Sequence, residues 1–166
     1  MEPQILFEAS FAFDPFWLVG PVMFACFLGY LIRGIKKARK SEKVEDRFWI
    51  VIGLTGCLSI LIFVMVLVPD KIKTYNATVG AYKRGEYEIV EGYVKDFHPM
   101  PYWGHDQESF TIDGVLFAYS NYSDTFGYHN AKSHGGVIMG DGQHLRIGYT
   151  ANNKLGNVIV YIEALQ

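Results

Sequence analysis

Hydrophobic residues are arranged in two ways along this chain. Before residue 69 they form long unbroken runs, and after residue 85 they alternate with polar ones. The longer run, Phe48 to Val68, has 21 residues and no charge. At 1.5 Å per residue that length spans the hydrocarbon core of a bilayer. It keeps no polar stripe of the kind a surface helix of a soluble domain shows. The other run, Phe16 to Ile32, has 17 residues, at the short end of what spans. Pro21 is placed to kink it, because its ring removes one backbone hydrogen bond. Trp17 and Tyr30 sit near its opposite ends, where amphipathic rings favour the membrane interface. Met1 to Pro15 has Glu2, Glu8 and Asp14 and no basic residue, so it lacks the basic start of a cleavable signal peptide. The first run therefore reads as a retained membrane helix.

Small residues recur within both runs. Gly29 follows Ala25 by four positions and Cys57 follows Gly53 by four, with Gly56 and Ser59 extending the second small face. Such spacing lets helix backbones approach closely. It predicts a tight antiparallel hairpin packed through Ala25, Gly29, Gly53 and Gly56, and a homo-oligomer that uses the same small faces.

After the second run, Pro69 to Arg84 reads as a separate helix leaving the membrane. Pro69 and Asp70 suit its first turn, and Gly85 suits its cap. Ile72, Tyr75, Val79 and Tyr82 fall on one helical face. From Glu86 the period becomes two. A long strand is predicted from Glu86 to Phe97, then Ser109–Ile112 and Val115–Tyr119 joined by the tight turn Asp113-Gly114, then His144–Tyr149 and Val158–Ala164 around Asn152, Asn153 and Gly156. Five strands with a long connection between the third and fourth match the plan of an OB-fold, a small β-barrel. The expected fold is a two-helix transmembrane hairpin plus a small all-β domain, a five-stranded OB-like barrel. Its parts are an N-terminal segment 1–15, a hairpin 16–68 (helices 16–32 and 48–68, loop 33–47), a juxtamembrane helix 69–85 and a barrel 86–166.

Charge adds direction. The net charge of −2 hides a split, since no Lys or Arg occurs before Arg33 and seven occur from Arg33 to Arg47 against three acids. Beside two membrane helices this run is better read as a cytoplasmic loop held at anionic headgroups than as a DNA-binding segment. The lipid bilayer is the expected partner and DNA is not. The same rule places the β domain on the far side of a bacterial inner membrane, although Lys71, Lys73, Lys83 and Arg84 weaken that vote.

Candidate chemistry is sparse. Cys26 and Cys57 lie in apolar runs and read as packing residues. The five histidines, His98, His105, His129, His134 and His144, with Glu108 and Asp124, show no metal-binding spacing. No nucleophile elbow or phosphate loop occurs, so neither an enzyme nor a cofactor is expected. Two loops, 98–107 and 120–142, are rich in aromatic, histidine and glycine residues. Trp103, His105, Tyr122, Tyr128, Lys132 and Arg146 are the candidate ligand-binding set: aromatic faces stack bases or sugars, and the two cations suit a phosphate.

In layout, with its membrane hairpin from Phe16 to Val68, short helical stalk and C-terminal barrel, the chain resembles the two-transmembrane β-barrel effectors of bacterial cyclic-oligonucleotide antiphage defence. That resemblance implies a barrel that binds a cyclic nucleotide messenger and helices that assemble to permeabilise the inner membrane. It also implies a cytoplasmic barrel, whereas the basic loop points the barrel outward. A second reading is an extracytoplasmic, membrane-anchored module that binds a protein or glycan.

Overall fold

The computed structural model describes residues 4–10, 18–40, 44–123, 125–152 and 156–165. The interface anchor Trp17, the acidic Asp124 and the turn residue Asn153 lie outside them. The chain divides into a helical unit, Ala12–Ile72, and a β unit that joins Met1–Phe11 to Lys73–Gln166.

The helical unit is built from α1 (Val19–Ala38) and α2 (Val44–Tyr75), the last turn of which belongs to the β unit. Both helices are long and apolar enough to cross a membrane. Only 6% and 11% of their most apolar windows are buried, which sets them apart from core helices of a soluble protein. Side chains such as Leu58, Phe63 and Met65 are exposed along the full length, a surface that suits lipid and not water. α1 and α2 meet along one antiparallel line. A Cβ on Gly34 would come within 2.9–3.2 Å of Ile50 and Trp49, and one on Gly53 within 2.7–2.8 Å of Leu31. The ring of Phe27 occupies the space above Gly56. Only glycine permits that approach. Thr55 and Ser59 donate to the carbonyls of Val51 and Thr55, so no hydroxyl there is left unpaired in an apolar setting.

α2 does not end before Pro69. The proline lies inside the helix, and the juxtamembrane segment continues the second span. A π-helical turn, Asn76–Gly80, and a short α3, Ala81–Lys83, complete it. Of the expected face, Tyr75, Val79 and Tyr82 pack on the β unit, while Ile72 is exposed.

Among the described residues the β unit contains seven strands in two antiparallel sheets. β1 (Gln4–Glu8), β7 (Gly156–Ala164), β6 (His144–Asn152) and β2 (Glu88–Tyr93) form one, in that order, and β3 (Lys95–His98), β4 (Glu108–Ile112) and β5 (Val115–Tyr119) form the other. Two expectations change here. The single strand 86–97 is broken at Val94. That residue is 1% exposed, and its backbone pairs with Gln143 and Gly142, so β2 and β3 join different sheets. Asp96 follows at a φ of 54°, a left-handed conformation that aspartate tolerates, and this turns the corner. The N-terminal segment, in turn, supplies β1, which covers one edge of β7. Among the described residues each sheet keeps two edge strands, so the sheets are not closed.

Alternation explains the core. In β4, Glu108, Phe110 and Ile112 are buried, and Ser109 and Thr111 are partly exposed. Phe110 stacks on Phe117, whose ring meets Tyr149 edge-on across the sheets. Val90, Ile138, Leu145, Ile147, Ile159 and Ile162 fill the remainder. β7 is buried on both faces, with Ile159 and Ile162 toward this core and Val160 against Val79 and Ala9. The β4–β5 turn has Asp113 at φ 47° and Gly114 at φ 79°, the paired positive values that a two-residue hairpin requires.

Candidate functional site

Loops 98–107 and 120–142 meet at the end of the three-stranded sheet, and one buried carboxylate holds them. Glu108, the first residue of β4, has no solvent exposure. Its Oε1 accepts the Tyr119 hydroxyl at 2.8 Å, and both oxygens lie 3.0–3.1 Å from the Lys132 N–H. Burial, and then the charge of Glu108, push the Tyr119 phenol far above its ordinary value, so it remains a donor. The Lys132 contact anchors a single 3₁₀ turn, Lys132–His134, the only helical turn described in the long connection. Nearby, the Ala131 N–H donates to Asn121 Oδ1, and the His129 Nδ1–H to the Gly127 carbonyl.

Above this scaffold the rings form two exposed groups. Tyr102 lies parallel to His134 with centroids 4.7 Å apart, and Trp103 meets Tyr102 edge-on at 4.9 Å. His105 and Tyr122 form a tilted pair at 4.7 Å. Trp103 is 90% exposed, Tyr122 61% and Tyr102 54%. Exposure of that order for rings of this size is what an interaction surface offers.

The six candidate ligand-binding residues therefore separate. Trp103, His105 and Tyr122 are exposed on the loops, Trp103 in one ring group and His105 with Tyr122 in the other. Tyr128 is buried at 3% exposure, where its hydroxyl accepts the Val137 N–H at 2.6 Å and its ring packs against Tyr119 and Phe7. Lys132 donates from Nζ to the Met139 carbonyl at 2.6 Å and lies 5.7 Å above the Phe97 ring. Arg146, on β6, bridges Glu91 and Glu163 at 2.9 and 2.8 Å, and these hydrogen bonds raise its already high pKa. Both cations are thus engaged within the protein. Phe126, another aromatic of the second loop, packs edge-on against Tyr75 of the stalk. Tyr102 and His134 complete the exposed group, and only their placement on the same two loops marked them in the sequence. In the sequence Glu108 drew notice only beside the histidines as a metal candidate, and it fell just before the predicted strand Ser109–Ile112, so nothing marked it as an anchor of the loops.

Of the hairpin residues, Gly53 and Gly56 face α1, Ala25 is exposed, and a Cβ on Gly29 would meet nothing within 4 Å. Among the described residues no three His, Cys, Asp or Glu side chains converge on one point. No protein family, curated protein or solved structure matches the chain.

Proposed function

We propose that this protein is a membrane-anchored binding module whose β domain lies outside the cytoplasm and takes a neutral partner, a glycan or a protein segment, on its exposed aromatic loops. The observation that carries this reading is the separation of rings from charge. Trp103, Tyr102 and Tyr122 present open faces, while Lys132 and Arg146 are engaged by a carbonyl and two carboxylates. A site for a cyclic nucleotide needs a cation free to meet phosphate, and breaking the Arg146 pairs would leave Glu163, itself 5% exposed, without its partner. The outward placement is supported by the seven basic residues of the inter-helix loop.

The effector reading remains a second proposal, favoured by the stalk. The second span continues through the π turn and packs Val79 against Val160 and Ala9, a covalent and packed route from sheet to membrane. In that reading an OB-like domain binds the messenger and the helices oligomerise.

Calorimetry on the full chain in detergent, with neutral oligosaccharides and cyclic di- and trinucleotides as titrants, separates the two. The module reading expects heat with a neutral oligosaccharide and a loss of about thirtyfold in affinity for Trp103→Ala, the roughly 2 kcal/mol of an aromatic anchor. Heat with a cyclic nucleotide that Trp103→Ala leaves unchanged overturns it in favour of the effector.

A further inference from the structure

A flank of α1 beside its contact with α2 has a composition of its own. Cys26, Gly29, Tyr30 and Arg33, at i, i+3, i+4 and i+7, line a groove of about 260 Å³. The face that meets α2 is a different one, formed by Phe27, Leu31 and Gly34. Gly29 forms the floor of the groove, with no atom near the position a Cβ would take. Tyr30 closes one side and is itself held by stacking on Trp49 at 5.8 Å. Arg33, at the end of the apolar run, makes no hydrogen bond or ion pair among the described residues. The next turn carries Lys36 and Lys37, and α1 contains no acidic residue.

We infer that this groove binds one anionic phospholipid, with an acyl segment along Cys26 and Gly29 and the phosphate at Arg33 and the Tyr30 hydroxyl. A pocket that encloses a whole small molecule measures roughly 300–1,000 Å³. A smaller, open groove fits a chain segment whose remainder stays in the bilayer. A guanidinium recognises phosphate through paired N–H donors. Carbonyls at a helix C-terminus disfavour an anion, but Arg33 and Lys36 outweigh that half charge. Charge also decides against a second copy of the chain as occupant. Copies inserted the same way hold Arg33 at the same depth, so a symmetric contact through this face sets cation against cation.

The test uses the full chain carrying Trp17→Phe and Trp103→Phe, which leaves Trp49 as the fluorophore beside the groove. Phosphatidylglycerol or phosphatidylcholine with brominated chains is titrated into the protein in mixed micelles, and quenching of Trp49 is read. Half-quenching is expected at about fivefold lower mole fraction of phosphatidylglycerol than of phosphatidylcholine. Arg33→Gln should bring the ratio close to one, and Arg33→Lys should keep most of it. Gly29→Leu, whose Cβ meets nothing within 4 Å and which lies off the Phe27–Leu31–Gly34 contact face, should abolish the preference while every charge remains. Equal quenching by both lipids in the parent protein overturns the inference. So does a preference that survives Gly29→Leu, because the lysines would then be attracting lipid without a seat in the groove.

Discussion

At the scale of single residues, the β unit depends on carboxylates that take hydrogen bonds from phenols. Glu108 receives Tyr119, Glu88 receives Tyr149 and Glu8 receives Tyr82. Glu108 matters most, because without it the Tyr119 hydroxyl and the Lys132 N–H are left buried and unpaired. Each such loss costs about 1–3 kcal/mol. Glu108→Ala should therefore lower the melting temperature of the β unit by roughly 10 °C or more, and Glu108→Gln, which keeps an acceptor, by less. Thermal unfolding of the full chain in detergent measures both, and an unchanged transition in Glu108→Ala would remove the carboxylate from its anchoring role. The phenols also set a pH dependence. Tyr119 and Tyr82 are raised mainly by burial and Tyr149 mainly by its bond to Glu88, all from an ordinary value of 10.0. Below that value the phenols are protonated in both states and their contribution to stability is complete. Above it the unfolded chain loses protons that the native one keeps, so stability falls as pH rises. Urea midpoints should match near about pH 7 and about pH 9 and drop by about pH 11, with a shallower drop in Tyr119→Phe. A midpoint that stays level to the highest pH contradicts this. In the sequence, Tyr128 and Arg146 were candidates for a ligand because residue type alone cannot show that a phenol points inward or that two glutamates flank a guanidinium across neighbouring strands.

At the scale of elements, legibility follows the range of the contacts. Both long apolar helices, the Asp113-Gly114 hairpin and the β4–β5 pair depend on neighbours close in sequence, and their residues announce them. Gly53 and Gly56 were legible as a close-approach face, yet their partners are Leu31 and Phe27 and not the small residues Ala25 and Gly29. Glycine leaves a hollow, and a large side chain fills a hollow better than another small one. The break at Val94 and the pairing of β1 depend on residues 49 and more than 150 positions away, beyond any local pattern. β1 also has a consequence for the fold's integrity. It covers the edge of β7 through four register pairs, and Tyr82 ties its last residue, Glu8, to the stalk. A chain beginning at residue 70 lacks this strand and presents an open edge. Such a fragment should unfold at lower urea than the full chain and associate on concentration. Equal midpoints and a monodisperse fragment would show β1 to be dispensable.

At the scale of the whole molecule, the pairing of β1 with β7 constrains how the proposed membrane crossing could run. Gln4–Glu8 and Gly156–Ala164 share one sheet, so on the proposed membrane reading the chain between them would cross an even number of times. Two helices of spanning length satisfy that count. On the proposed reading the charge of the basic loop favours the cytoplasm. In the proposal, the exposed rings of the loops and the engaged Lys132 and Arg146 would suit a neutral partner outside rather than a charged messenger inside. Paired topology reporters decide the matter most directly. A phosphatase active only outside the cytoplasm is fused after Gln166, and the same enzyme is inserted at Ser41 in the loop. The proposed arrangement predicts an active fusion at Gln166 and an inactive one at Ser41. The reverse pattern, inactive at Gln166 and active at Ser41, would place the β domain in the cytoplasm and contradict it.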